Sequence, residues 1–440
     1  MFINALHFTK RDAFRYNIES FTVQRGEKIL YLAINIIGLI VFLAIGWLFS
    51  KDRKAINWRA VLTMTALNLV MAWFLTSFPI GLTIVKGAAA GFDALVQVSY
   101  QGIAFAIPSM VNVKSMDFFV SVLLPILMIV PLFDILTYIG VLPWIIKWIG
   151  RGLSFITRQP KFESFFAVEM MFLGNTEALA VSSLQLKRMS AKRDLTLAMM
   201  SMSCVTASII GAYTQMMPGQ YILTAIPVNV INALVVTSML NPVQVSQEED
   251  FIAKIGGSAS VADGTVEADG KKEPFFSFLG DSILSAGRLV LIIAANVIAF
   301  VALAALVDKL LGLIHPWVSL EHLLGIIMFP FAWLMGLNPS DAFQFAQYMG
   351  EKLVTNEFVV MGKVTSKIAT TAFSEHYRAV LTVFVTSFAN FSTVGMIIGC
   401  FKSIVDREKN DLVSKNVPYL LLSGILVSLL SAATVGLFAW

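Results

Sequence analysis

The chain is short of charge. Asp, Glu, Lys and Arg make up 14% of its 440 residues, whereas a soluble domain carries about 25%. Hydrophobic residues reach 57% and the mean hydropathy is +0.77, which excludes a soluble globular protein and points to an integral membrane one. Cysteine is scarce: Cys204 and Cys400 both lie in apolar runs and offer neither a disulfide framework nor a metal site. The four histidines, His7, His315, His322 and His376, show no ligand spacing. There is no His-Glu-x-x-His zinc pair, no Asp-rich phosphate motif and no Gly-x-Ser-x-Gly elbow. The expectation is a non-enzyme with no cofactor and no nucleic-acid partner. The first apolar run starts too late, and lacks a small-residue cleavage site, for a cleaved signal peptide. Residues 1–28 read as a basic amphipathic or interfacial segment.

What is present is a series of long apolar runs. Uncharged stretches sufficient for about 30 Å of hydrocarbon, roughly 20 residues each, occur at Ile29–Ser50, Ala60–Val85, Leu195–Tyr213, Tyr221–Leu240, Leu289–Val307, Ala379–Phe401 and Val417–Trp440. Another, Phe118–Val141, is interrupted only by Asp134, an acidic residue with no evident mate, read as structural or interfacial. The basic groups Lys51/Arg53/Lys54/Arg59, Lys147/Arg151/Arg158/Lys161, Lys187/Arg188/Lys192/Arg193 and Lys402/Arg407/Lys409/Lys415 flank alternate ends of these runs, while Thr214–Gln220 has no charge. By the positive-inside rule these connections are cytoplasmic and both termini outside. Lys10, Arg11, Arg15, Arg25 and Lys28, and the basic region Lys352–Arg378, run against that orientation.

One stretch looks solvated, Gln244–Pro274, with Glu248-Glu249-Asp250, Gly256-Gly257 and Ala262-Asp263-Gly264. It reads as a cytoplasmic linker between two halves. Each half holds a similar oddity. Phe162–Leu186 is apolar but broken at Gly174, and Leu323–Leu337 ends in Asn338-Pro339-Ser340-Asp341 before the mixed segment Phe343–Met361. Interrupted apolar segments at corresponding places in two halves point to inverted repeats, and both read as re-entrant hairpins. Non-helical backbone at membrane depth must be buried in protein or line a cavity.

Three polar motifs sit inside such segments: Gly174-Asn175-Thr176-Glu177, Asn356-Glu357-Phe358 and Phe388-Ala389-Asn390-Phe391-Ser392-Thr393. A carboxylate or carboxamide in hydrocarbon is costly unless it faces a partner or a cavity, so a polar small-molecule site near mid-membrane is indicated. Blander readings stand beside this one. Gly174 also suits a simple kink, Glu177 or Glu357 a carboxylate bonded to helix ends, and Asn390 helix packing. The hydroxyls of Thr386, Ser387, Ser392 and Thr393 suit bonds to their own helix carbonyls, and Met199–Met202 suits packing.

At these residues the chain resembles the concentrative nucleoside transporters. Gly174-Asn175-Thr176-Glu177-Ala178 is similar to that family's Gly-Gln-Thr-Glu-Ala-Pro signature. Asn356-Glu357-Phe358-Val359, preceded by Lys352-Leu353-Val354, and Phe388-Ala389-Asn390-Phe391-Ser392 match two further motifs. Ile56-Asn57-Trp58-Arg59 and Gly211-Ala212-Tyr213 add support. The resemblance implies an all-α polytopic membrane protein of about eight spans, with two re-entrant hairpins in inverted repeats and an elevator mechanism. It also implies a homotrimer in the plasma membrane. Residues 29–157 would be largely scaffold, 158–240 the first hairpin and following spans, 241–275 the linker, and 276–440 the second hairpin, substrate-binding span and final span.

The resemblance also implies roles. Asn175, Thr176 and Glu177, with Ile209, would meet the nucleobase. Glu357, Asn390 and Thr393 would bind ribose hydroxyls, with Phe388 flanking the sugar. The chemistry agrees: a carboxylate accepts from vicinal hydroxyls, and an amide both donates and accepts. The departures matter as much. Asn175 stands for the usual Gln, Leu179 for Pro and Thr393 for Ser. The side-chain oxygens of the sodium site fall at Met170 and Cys204, leaving backbone carbonyls near Leu173 and Val205. Thioether and thiol are poor ligands for a hard cation. Glu169, an added carboxylate, joins Glu177 and Glu357 as a proton carrier, so proton coupling is expected over sodium. The alternatives are a transporter of nucleobases or modified nucleosides such as pseudouridine, and a non-transporting gate-type protein that binds nucleoside.

Overall fold

A computed structural model of the chain describes residues 10–114, 116–203, 205–246, 249–250, 273–370 and 372–440, with side chains from residue 26 onward. The first apolar run lies in α1 (Lys10–Leu48), which continues unbroken upstream of it. Residues 10–28 thus extend that helix, and residues 1–9 of the expected interfacial segment lie outside the described residues. The run Ala60–Val85 is two helices, not one. α2 (Trp58–Thr76) is capped by Asn57, whose side chain accepts from Ala60 N, and α3 (Pro79–Ala106) restarts at Pro79. Proline lacks the N–H that would continue the ladder and suits the first turn of a new helix. After the single turn α4 (Pro108–Val111) come a π-helical stretch at Phe119–Leu123, α5 (Ile126–Tyr138) and α6 (Val141–Thr157).

Next come α7 (Lys161–Leu173), α8 (Asn175–Val181), α9 (Ser183–Arg188) and α10 (Ala191–Ser201). After an interruption the chain resumes as a 3₁₀ turn at Ala207–Ile209, α11 (Ile210–Thr214) and α12 (Gly219–Leu240). Gly174 separates α7 from α8 at φ +83°, ψ 175°, a conformation open essentially to glycine alone. It is therefore a break and not a kink.

Beyond the linker the order recurs. The second set comprises α13 (Phe275–Gly312), α14 (Leu320–Trp333), α15 (Pro339–Val354), α16 (Glu357–Ile368), α17 (Glu375–Val385), α18 (Phe391–Ile404), α19 (Arg407–Lys415) and α20 (Val417–Gly436). The second tip falls at Thr355–Asn356, between α15 and α16. Leu323–Leu337 is thus not a hairpin limb; its residues up to Trp333 belong to α14, which packs along α15 as α6 packs along α7. Asn338 caps α15 by accepting from Asp341 N over 2.9 Å, so the Asn-Pro-Ser-Asp sequence starts a helix instead of turning a hairpin.

Among the described residues seven helices are long and apolar enough to cross a membrane: Gly26–Leu48, α2, α3, Phe119–Tyr138, α12, α13 and α20. Two of the expected spans, Leu195–Tyr213 and Ala379–Phe401, are not continuous; each is two half-helices around an unwound stretch. α12 packs against α2 and α20, and α17 against α20, forming the buried body. α5 and α13 pack on each other at its edge, where α13 leaves most of its side chains exposed. Part of the predicted linker is docked: Asp250 accepts from Lys161 N over 2.7 Å, and Arg193 donates to the Glu249 carbonyl over 3.0 Å. The rest of it, including Gly256-Gly257 and Ala262-Asp263-Gly264, lies outside the described residues.

Candidate functional site

The second tip starts α16 with its first carboxylate already held. Asn356 Oδ1 accepts from Val359 N over 3.1 Å, so it is the N-cap. Glu357, the next residue, is 3% exposed. Tyr213 OH donates to Glu357 Oε1 over 3.1 Å, and Asn390 Nδ2 donates to Oε2 over 3.2 Å. Asn390 in turn caps α18: its Oδ1 accepts from Thr393 N over 2.9 Å and from Thr393 Oγ1 over 3.0 Å. Glu357, Asn390 and Thr393 are thus one connected group, and the N-termini of α16 and α18 converge on it. Those ends carry free backbone N–H groups and the positive poles of their helices. Phe388 lies half-buried in the unwound stretch just before Asn390.

The first tip is arranged differently. Asn175 is buried, and its Oδ1 accepts from Thr176 N over 2.8 Å. Its Nδ2 has no partner among the described residues. Thr176 and Glu177 are exposed, and among the described residues their side chains make no hydrogen bond. The Thr176 carbonyl faces Cys400 Sγ of α18 at 3.7 Å, and α8 packs along α18. Ile209 is buried on the 3₁₀ turn of the broken span. The two tips therefore flank α18, one at its start and the other along its length, and among the described residues no side-chain hydrogen bond is seen to join them.

Gly424 of α20 is where the two broken spans meet. A Cβ there would sit 2.9 Å from Ala389 Cβ and 3.1 Å from Met202 Cβ. Ala389 closes one unwound stretch and Met202 opens the other. Only a residue without a side chain lets both approach α20 this closely.

Of the coupling candidates, Glu169 is 2% exposed and accepts from Ser182 Oγ over 3.0 Å. Met170 is buried beside it and Leu173 is half-buried just before the tip. Val205 is buried, and Cys204 lies outside the described residues. The tip and the unwound stretch adjoin, since Thr206 Oγ1 donates to the Phe172 carbonyl over 3.2 Å and lies 2.9 Å from Ser208 Oγ.

Several side chains at the site escape a reading of the sequence. Tyr213 closes a supporting motif, but nothing in its spacing ties it to Glu357, 144 positions away. Lys352, counted above among charges bearing on orientation, is fully buried and marks no loop. Asp134 does have a mate, because Ser282 of α13 donates to it across the α5–α13 contact. Thr386 bonds its own helix, with Oγ1 donating to the Thr382 carbonyl over 2.6 Å, while Ser387 reaches Ser428 of α20 instead. A cavity of about 570 Å³ opens elsewhere, lined by Lys54, Arg158, Glu163, Asn241 and Asp250, and includes none of the candidate residues.

Comparison with known proteins follows the same lines. The family described as Na+ dependent nucleoside transporter matches through its C-terminal part over residues 221–436 and its N-terminal part over residues 37–110. The purine nucleoside transport protein NupG of Bacillus subtilis is 45% identical over 411 residues, covering 93% of this chain and 100% of that protein. The nucleoside permease NupC of Helicobacter pylori is 26% identical over 420 residues, 92% of this chain and 97% of its own. The solved structure of CNTnw in an inward-facing substrate-bound state shares the fold, with a TM-score of 0.83 at 23% identity, over 93% of this chain and 98% of that one. The chain belongs to the concentrative nucleoside transporter family, a family of membrane transporters and not of enzymes.

Proposed function

We propose that the chain imports nucleosides across the plasma membrane by cation-coupled symport, with the proton favoured over sodium. The observation that carries this reading is the buried Glu357, held by Tyr213 and Asn390 at two converging helix N-termini. Such a carboxylate and carboxamide suit the vicinal hydroxyls of ribose, and a site built to pair them rejects a sugar that lacks them. Thr176 and Glu177, exposed and with no side-chain hydrogen bond among the described residues, supply donors and acceptors for a base edge, with Asn175 Nδ2 beside them. The relative that is 45% identical is named a purine nucleoside transporter, which favours purine nucleosides here.

Proton coupling is supported by the first tip. Met170 offers sulfur where a hard cation needs oxygen. Glu169 is a buried carboxylate whose partner is the Ser182 hydroxyl, and no basic side chain pairs with it among the described residues. A sodium reading draws on other observations: Thr206 and Ser208 bring two hydroxyl oxygens beside the first tip, and the matching family is described as Na+ dependent.

The transport cycle we propose is an elevator in a homotrimer. The two helix–tip–helix elements act as re-entrant hairpins that move with the broken spans α10–α11 and α17–α18, while α5 and α13 belong to the static scaffold. The test is uptake of labelled inosine and uridine into proteoliposomes, with sodium and proton gradients imposed separately. Inosine uptake driven by a proton gradient alone supports the whole reading. Uptake that needs sodium keeps the function and ends proton coupling. Binding without flux transfers the protein to the gate-type reading, and flux of a free base in preference to its nucleoside to the nucleobase reading.

A further inference from the structure

Lys352 is fully buried, and its three ammonium protons are all directed at neutral oxygens. Nζ donates to the Phe384 carbonyl over 2.6 Å, to Ser387 Oγ over 2.7 Å and to Ser428 Oγ over 3.4 Å, and lies 4.6 Å from the centroid of the Phe384 ring. No carboxylate comes within ion-pair distance of it among the described residues. Glu357 lies five positions along the chain, across the second tip, with its carboxylate on Tyr213 and Asn390. A buried ammonium with no opposite charge at contact is costly, so this lysine needs a role to account for it.

That role follows from what it touches. Phe384 lies in the last turn of α17, where the carbonyls have lost their helical donors. Three consecutive carbonyls there find substitutes: Phe384 O takes Lys352 Nζ, Val385 O takes Ser387 N over 2.8 Å, and Thr386 O takes Asn229 Nδ2 over 2.6 Å. Beyond the break, Asn390 starts α18 and donates to Glu357. One tip therefore grips both sides of one break, with each sign matched to the helix pole it faces. The lysine sits at the negative end of α17 and the carboxylate at the positive start of α18.

We infer that Lys352 is a positioning residue for sugar recognition: by bonding the last carbonyls of α17 and the serines beside them, it holds the α17–α18 break open and sets Asn390 and Glu357 where ribose hydroxyls are read. It touches no substrate itself. The inference rests on the nucleoside reading of the site.

The experiment compares uptake of inosine with uptake of 2′,3′-dideoxyinosine, measuring KM and maximal rate in proteoliposomes for wild type, Lys352→Met and Lys352→Arg. The wild type should prefer inosine. Lys352→Met should lose at least tenfold of that preference, through a raised KM for inosine with the KM for the dideoxy compound little changed. Lys352→Arg, which keeps the charge, should retain part of it. A purely structural lysine would lower the maximal rate for both substrates equally, and an unchanged preference in Lys352→Met would overturn the inference. If Lys352→Met does not insert, Ser428→Ala and Ser387→Ala remove two of its acceptors; an unchanged preference in both would overturn it equally. A wild type that moved neither compound would remove the nucleoside reading, and this inference with it.

Discussion

Tyr213 and Glu357 lie 144 residues apart in sequence and share one hydrogen bond of 3.1 Å inside the protein. The bond joins α11 in the first half of the chain to the start of α16 in the second, so the cluster around Glu357 forms only when both halves are in register. Phe358, next to Glu357, stacks edge-on against Tyr213 at 5.1 Å between ring centroids and secures the same junction through apolar contact.

Removal of that phenol hydroxyl should weaken transport without unfolding the protein. A hydrogen bond to a charged group contributes about 1.5–3 kcal/mol, so Tyr213→Phe should raise the KM for a nucleoside by roughly tenfold or more. Glu357→Gln should abolish uptake at normal expression. Both are read from labelled uptake normalised to protein in the membrane; normal uptake by Glu357→Gln would count heavily against the site.

Glu169 separates binding from coupling. Glu169→Gln keeps a polar partner for Ser182 but cannot carry a proton. Nucleoside binding to the purified variant should persist, while proton-driven accumulation in proteoliposomes should vanish and exchange across equal gradients should remain. Full accumulation in this variant would move the proton elsewhere, Glu177 being next in line.

Gly424 tests the meeting of the broken spans. Gly424→Leu places a side chain where Ala389 and Met202 already approach to about 3 Å. Overpacking of this kind costs about 1–3 kcal/mol. The variant should insert with a lowered melting temperature and lose uptake more than Gly280→Leu, at an exposed position of α13 where a Cβ meets nothing within 4 Å. Equal activity of the two variants would show that the breaks need not approach α20.

Arg193 and Glu163 form a buried bidentate pair, with Nε and Nη2 each 2.7 Å from a carboxylate oxygen. Loss of one partner strands the other charge and costs about 3–5 kcal/mol, whereas replacement of both by apolar residues is often near neutral. Arg193→Met should therefore lower the melting temperature sharply, and Arg193→Met with Glu163→Met should recover most of it. Additive losses in a double-mutant cycle would rule out a direct pair.

Much of this was legible in residues whose environment forbids them by default. Glu357 and Asn390 stand out because hydrocarbon penalises them, and Gly174 because it interrupts an apolar run. The unbroken reading of Leu195–Tyr213 and Ala379–Phe401 failed for the converse reason. Apart from Asn390, residues 202–206 and 386–390 are Met, Ser, Cys, Val, Thr, Phe and Ala, which composition cannot tell from helix, and the donors that make unwinding affordable, such as Asn229 for Thr386, come from distant segments. Leu323–Leu337 is ambiguous in sequence, because an apolar run of that length suits a hairpin limb as well as a helix packed across one.

The sequence by itself determined that the chain lives in a bilayer and that Glu357 and Asn390 need a polar centre within it. Those properties follow from transfer free energies, which belong to each residue alone. Which residues hold that centre in place was decided by the tertiary structure. Tyr213 on Glu357, Lys352 on the end of α17, Ser282 on Asp134 and Gly424 beneath two broken spans are pairings across long stretches of chain, and a hydrogen bond or a close approach is a property of two positions in space.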